Sequence, residues 1–136
     1  MNVNNALRKR YMITSACFVD RLGLISGHGY IVKDYLQVKT PEGKKIRLLK
    51  IKNPWKPIGD PSLKDSSHGE WTGPYSNSDT DSWNPELKKI ARFDKLKAGE
   101  FFMTHEDFKD SFKYYTITYM HKHFMTSFIE KRSSVN

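Results

Sequence analysis

Two runs of strand-forming residues face one another across Thr40-Pro41-Glu42-Gly43, and a chain patterned this way must build a β-hairpin there. Residues Tyr30 to Val38 alternate, with Tyr30, Val32, Leu36 and Val38 read on one face. Pro at the second turn position presets its φ, and Gly at the fourth suits the reversal. Ile46 to Ile51 (Ile-Arg-Leu-Leu-Lys-Ile) reads as the return strand. The other elements are short. Tyr11 to Phe18 reads as a β segment, Pro57 to Gly69 and Ser76 to Ser82 as polar loops, and Gly99 to Met103 and Tyr114 to Met120 as strands. Asn84-Pro85-Glu86 opens a helix running to about Arg92, with Asn as cap and Pro at the first helical position. Thr104-His105-Glu106-Asp107 resembles a capping box and opens another helix of about two turns. Strands before and after helices, without βαβ alternation, place the chain in the α+β class. The expected architecture is a mostly antiparallel β-sheet or sandwich with two or three short helices.

Composition narrows what such a fold can do. The 136 residues fit one domain, and 38% hydrophobic with 13% aromatic content excludes a disordered tail. No apolar run approaches the ~20 residues of a membrane span, and Met1 to Arg10 lacks an apolar signal core, so no secretory leader is expected. Cys17 is the sole cysteine, which excludes an internal disulfide framework and suits a reducing, cytoplasmic (intracellular) setting. The net charge of +8 is concentrated early, with 10 basic and 3 acidic residues in positions 1–50. Such a surplus suits nucleic acid, an anionic membrane or an acidic partner, but no nucleic-acid module interrupts it. A solvated basic face is the plainer reading, and nucleic acid is not the expected partner.

His28 and Asn53 lie at opposite ends of the hairpin sequence. With the turn centred between Pro41 and Glu42, opposed positions add to 83, so His28 faces Trp55 and Asn53 lies one strand period away. The two then share a face as diagonal neighbours, with Cα atoms about 7–8 Å apart. An imidazole used as a general base has to be held in one orientation and tautomer, and an amide oxygen accepting its ring N–H does that. Trp55, opposite His28, could cover the pair. Spacing alone equally allows a surface histidine and a loop-capping asparagine.

The ordered motifs say more. Gly27-His28-Gly29-Tyr30, then Ile46 to Trp55 ending in Asn53-Pro54-Trp55, then Glu70-Trp71-Thr72-Gly73, then Trp83, then Gly99-Glu100-Phe101-Phe102-Met103 and Phe108 occur in this order. The set resembles the second half of the calpain protease core over about residues 11 to 120. Residues 1–136 then read as a single lobe, with 124–136 a polar C-terminal extension. The resemblance implies the barrel-like lobe of a papain-like cysteine protease, in which the Cys-His-Asn arrangement applies the orienting logic above. By that resemblance His28 matches the catalytic histidine, Asn53 the catalytic asparagine, and Trp55 the tryptophan of the substrate cleft. Glu70 and Glu100 match acidic residues of a calcium site; no organic cofactor is implied.

Several departures qualify what is carried over. A further acid of the family's calcium site falls on Asn77, with Asp79 nearby, and another on Ala98, so the site is depleted. The stretch from Trp55 to Glu70 is longer than in the family pattern. The half-core bearing the nucleophilic cysteine is not represented here. Cys17, 11 residues before His28 on an expected strand, reads as structural because a reactive thiolate needs a helix N-terminus or a positive partner. His121 and His123 share a strand face without further metal ligands at a recognisable spacing. The expectation is therefore the His/Asn half of a calpain-like, calcium-dependent cysteine endopeptidase acting on protein or peptide substrates, incomplete alone and served by a cysteine-bearing lobe in trans or elsewhere in a longer protein. The alternatives are a non-catalytic calpain-like protein-binding module and a basic surface for nucleic acid or anionic membrane.

Overall fold

Asn2 starts the first ordered element: its side-chain oxygen accepts the Asn5 N–H at 2.9 Å and caps helix α1, Val3–Arg8. Ala6 is buried in the core, with Val3 and Leu7 packed beside it. This helix is missing from the sequence reading, although the cap followed by apolar residues at i, i+3 and i+4 was its signal. A computed structural model describes residues 2–54 and 69–119. Trp55, most of the expected loop over 57–69, Met120, His121, His123 and the extension at 124–136 lie outside the described residues.

Strands β1 (Met12–Ala16), β2 (Gly29–Lys39), β3 (Lys45–Lys52), β4 (Glu100–Thr104) and β5 (Tyr115–Thr118) form one antiparallel sheet in the order β4-β3-β2-β1-β5. Helix α2, Pro85–Ala91, starts where Asn84 accepts the Leu87 N–H at 2.8 Å and stops at Arg92, whose φ of 51° is left-handed. Helix α3, His105–Ser111, starts where Thr104 accepts the Asp107 N–H at 3.0 Å. The α+β class and both capped helix starts therefore follow the sequence expectation.

The hairpin departs from its expected register in a way that decides which face its side chains take. Near the turn, Lys39 pairs with Lys45 and Leu36 with Leu48, so opposed positions add to 84 rather than 83. A β-bulge between Val32 and Asp34 leaves Lys33 without an opposite number. Beyond it Val32 pairs with Ile51 and Ile31 with Lys52, and the sum returns to 83. The extra residue also switches which positions point inward. Tyr30, Val32 and Tyr35 pack with one core, whereas Leu36 and Val38 pack with the other. The single face proposed for Tyr30, Val32, Leu36 and Val38 is thus corrected to two, because a one-residue insertion reverses strand parity.

Both sheet faces are covered. The first carries Ile13, Cys17, Tyr30, Val32, Leu49, Ile51, Phe101 and Met103 under α1, α3 and Trp71. The second carries Leu48 and Phe102 under Trp83 and Leu87 of α2. Adjacent residues of β3 and β4 serve opposite cores, which explains the side-by-side apolar residues Leu48-Leu49 and Phe101-Phe102-Met103.

Candidate active site

His28 and Asn53 sit just outside the strands that present them, one residue before β2 and one after β3. The chain enters His28 through a short loop from Cys17. The Cys17 N–H donates to the His28 carbonyl at 3.0 Å, and the Gly27 N–H donates to the Cys17 carbonyl at 2.7 Å. The Asn53 N–H donates to the Gly99 carbonyl at 2.9 Å, which ties the end of β3 to the start of β4. Both side chains are buried, at 3% and 5% exposure, an uncommon place for such groups unless they are hydrogen-bonded.

The two are joined at 2.7 Å between His28 Nε2 and Asn53 Oδ1. An amide oxygen only accepts, so Nε2 carries a proton, and in the neutral imidazole the lone pair then falls on Nδ1. The expected diagonal relation is therefore met, although the register centre behind it was off by one and the bulge cancelled the error. The Tyr30 ring stands edge-on to the imidazole at 4.7 Å and 76°. Gly69, at φ +88°, closes the far side of the amide: a Cβ there would lie 2.5 Å from Asn53 Nδ2. Trp55 lies outside the described residues.

The Glu70-Trp71-Thr72-Gly73 segment follows Gly69, and its Thr72 N–H donates to the Leu22 carbonyl at 2.7 Å. Trp71 is buried, donates its indole N–H to the Pro74 carbonyl at 2.8 Å, and lies under the Arg21 guanidinium at 5.1 Å. Arg21 in turn pairs with Asp107 and donates to Ser111, both at 3.0 Å, linking this segment to α3. Gly73 lets the chain fold over the indole, since a Cβ there would meet the ring at 2.3 Å.

Cys17 is fully buried, and its thiol contacts the Val19 carbonyl at 3.0 Å. Desolvation pushes the thiol pKa up, with the Asp20 charge adding to the rise, so the sulfur stays protonated. That is the environment of a structural cysteine.

Glu100, Asn77 and Asp79, in or near the positions matched to a calcium site, hydrogen-bond within the fold. Glu100 is buried, and one of its carboxylate oxygens accepts the Lys97 N–H at 3.0 Å. Asn77 turns its amide N–H toward the Glu100 carbonyl at 2.9 Å, which puts a donor where a cation needs oxygen. Asp79 accepts N–H groups from Tyr75 at 2.8 Å, Asp81 at 2.9 Å and Ser82 at 3.2 Å, so it organises its own loop. Ser82's side-chain hydrogen bond, ahead of the backbone N–H groups, lowers its carboxyl pKa to about 2. Among the described residues no three His, Cys, Asp or Glu side chains gather to hold a metal ion, Glu70 included. His28 and Asn53 line neither the cleft of about 710 Å³ between the hairpin turn and α2 nor that of about 570 Å³ between α1 and α3.

Sequence reasoning missed two neighbours of the pair, the Tyr30 ring and the Gly69 backbone. The signal for both was a glycine or tyrosine inside a matched motif or at its border, which spacing alone does not interpret.

Comparison with known proteins bears on this site. A family model described as calpain family cysteine protease matches residues 3–119. Rat Calpain-9 is 38% identical over 93 residues, covering 67% of this chain and 12% of that protein. Mouse Calpain-7 is 32% identical over 106 residues, covering 74% of this chain and 11% of that protein. Calpain-type cysteine protease DEK1 of Arabidopsis thaliana is 33% identical over 96 residues, covering 70% of this chain and 4% of that protein.

Proposed function

We propose, from the premise that this chain belongs to the calpain family of cysteine proteases, that it is the His/Asn half of an endopeptidase catalytic centre. The chain spans at most 12% of the length of the relatives just named, so activity and substrate are part of the proposal. The observation that carries it is the buried 2.7 Å bond from His28 to Asn53. In this reading Asn53 holds the imidazole with Nε2 protonated, leaving Nδ1 to take the proton of a thiol. The thiolate attacks a peptide carbonyl, and the imidazolium then protonates the leaving amine. Cys17 is buried with a raised pKa, so the thiol comes from residues outside this chain, on a cysteine-bearing lobe. Trp55 would flank the substrate. Calcium enters no step, and binding is expected at millimolar levels or not at all, because Asn77 and Ala98 replace acids.

The test is cleavage of a fluorogenic peptide, with and without a calpain cysteine lobe added in trans. The chain alone should cleave nothing, since an imidazole without a thiolate has no nucleophile to activate. With the lobe, His28→Ala should abolish the restored activity, Asn53→Ala should weaken it, and Cys17→Ser should leave it intact. Thiol-dependent cleavage by the chain alone, lost in Cys17→Ser, would overturn the assignment. The buried cysteine favours a second reading, a non-catalytic calpain-like module that binds a protein partner without turnover. Binding of an intact polypeptide with no cleavage in the presence of the lobe would select it.

A further inference from the structure

We propose that the Tyr30 hydroxyl is a positioning group that fixes His28 and Asn53 together by clasping the two backbone segments that back them. The hydroxyl accepts the Ile25 N–H at 3.2 Å and donates to the Gly69 carbonyl at 2.9 Å. Each contact leads to one member of the pair. The Ile25 carbonyl accepts the His28 N–H at 3.4 Å, so Ile25 sits in the turn that delivers the imidazole. Gly69 lies against the Asn53 amide, where a Cβ would approach Nδ2 to 2.5 Å and Ile25 Cδ1 to 3.3 Å. The Gly69 N–H also donates to the Gly23 carbonyl at 2.9 Å, so one backbone link and one hydroxyl bind the two segments.

The phenol suits this task. Its hydroxyl has both a donor and an acceptor role filled in a buried place, which makes the loss of either costly. Burial pushes its pKa up to about 12, and it remains a donor at neutral pH. Its ring is itself wedged, with Phe112 at 5.4 Å, Phe101 at 6.1 Å and the His28 imidazole edge at 4.7 Å. Ring packing and hydroxyl clasp are separable: Phe at this position keeps the first and removes the second. Without the clasp, the Ile25 turn and Gly69 relax independently, and the imidazole and amide lose their shared reference. The proposal adds to the reading of His28 as a base, but its test requires no catalysis.

The experiment is ¹⁵N NMR of the His28 ring in the full chain at neutral pH. The unmodified chain should show one tautomer, with the proton on Nε2. In Tyr30→Phe both His28 ring nitrogens should shift toward the tautomer average, while the His105 ring signals stay in place and the thermal midpoint falls by only a few degrees. Phe112→Leu strips a neighbour from the same ring without touching the hydroxyl, and it should leave the His28 tautomer unchanged. Unaltered His28 signals in Tyr30→Phe, or an equal shift in Phe112→Leu, would overturn the proposal. Should Tyr30→Phe fail to fold, the unmodified chain decides: the Tyr30 hydroxyl proton should be seen in slow exchange and close to Gly69. Fast exchange with water would refute the clasp.

Discussion

On one face of the sheet the buried cluster around Tyr30, Ile51 and Phe101 runs up to two polar groups, His28 and Asn53. On the other, Leu48, Phe102 and Leu87 close around the indole of Trp83. Trp83 is met edge-on by Tyr75 at 5.5 Å, Phe93 at 4.9 Å and Phe102 at 5.5 Å, and its N–H reaches the Ser76 carbonyl at 3.0 Å. Both faces satisfy an indole N–H with a backbone carbonyl, but the first also joins one buried side chain to another, His28 to Asn53. Backbone partners come with the fold, but a side-chain pair depends on register, parity and two loops at once. The face that bears the candidate chemistry is therefore the one on which a small change should reach furthest.

The largest expected effect comes from deleting Ile31. Without it either Lys33 enters the buried slot of Val32, or Tyr30 and His28 turn to the opposite face. Both should cost more than about 4 kcal/mol, read as loss of a cooperative denaturant transition. Next is a matched pair on β3. Ile51→Ala, on the first face, should cost about 2–5 kcal/mol, whereas half-buried Ile46→Ala, on the second, should stay under about 2 kcal/mol. Equal losses in urea unfolding would erase the distinction between the faces. Asn53→Ala, which removes the acceptor for the imidazole N–H, should cost about 1–3 kcal/mol by the same measurement.

Acid should act on the second face. Asp79 has its carboxyl pKa depressed to about 2, so its ionised form stabilises the fold above the ordinary aspartate range. That contribution is lost as pH falls from about 4 toward about 2. Asp79→Asn should lower the melting temperature at neutral pH and flatten its decline over that window. A decline as steep as in the unmodified chain would assign the acid sensitivity elsewhere. The smallest effect belongs to deletion of Lys33. Removing the bulged residue leaves Val32 opposite Ile51 and Asp34 opposite Lys50, with every inward position unchanged. The cost should be under about 1 kcal/mol, and the His28 tautomer should persist.

The parts of this molecule legible in the sequence are those decided locally. Asn84 before Pro85 and Thr104 before Asp107 cap their helices through contacts three residues long, and their residue types state as much. The His28 and Asn53 relation was legible in the ordered motifs, whereas the register arithmetic reached it through a turn centre off by one that the bulge cancelled. Lys33 was not, because a bulge answers to sheet twist and to cores on both faces, and an exposed lysine in a strand looks the same with or without one. The Tyr30 hydroxyl was hidden for a related reason: its partners are 5 and 39 residues away and are backbone atoms, which carry no residue-type signature. Helix α1 was overlooked at a terminus where short helices gain most of their stability from packing.

The burial of Cys17 has a practical consequence for chemical labelling. A maleimide or iodoacetamide reacts with thiolate, and this thiol is inaccessible and held protonated. The native chain is therefore a silent background for thiol chemistry. A single cysteine placed on its surface could carry a fluorophore or spin label without removing the endogenous one. In a mixture with a cysteine-bearing lobe, an active-site alkylating probe would mark that lobe alone, and its rate of labelling would report whether this chain alters the reactivity of that lobe's sulfur.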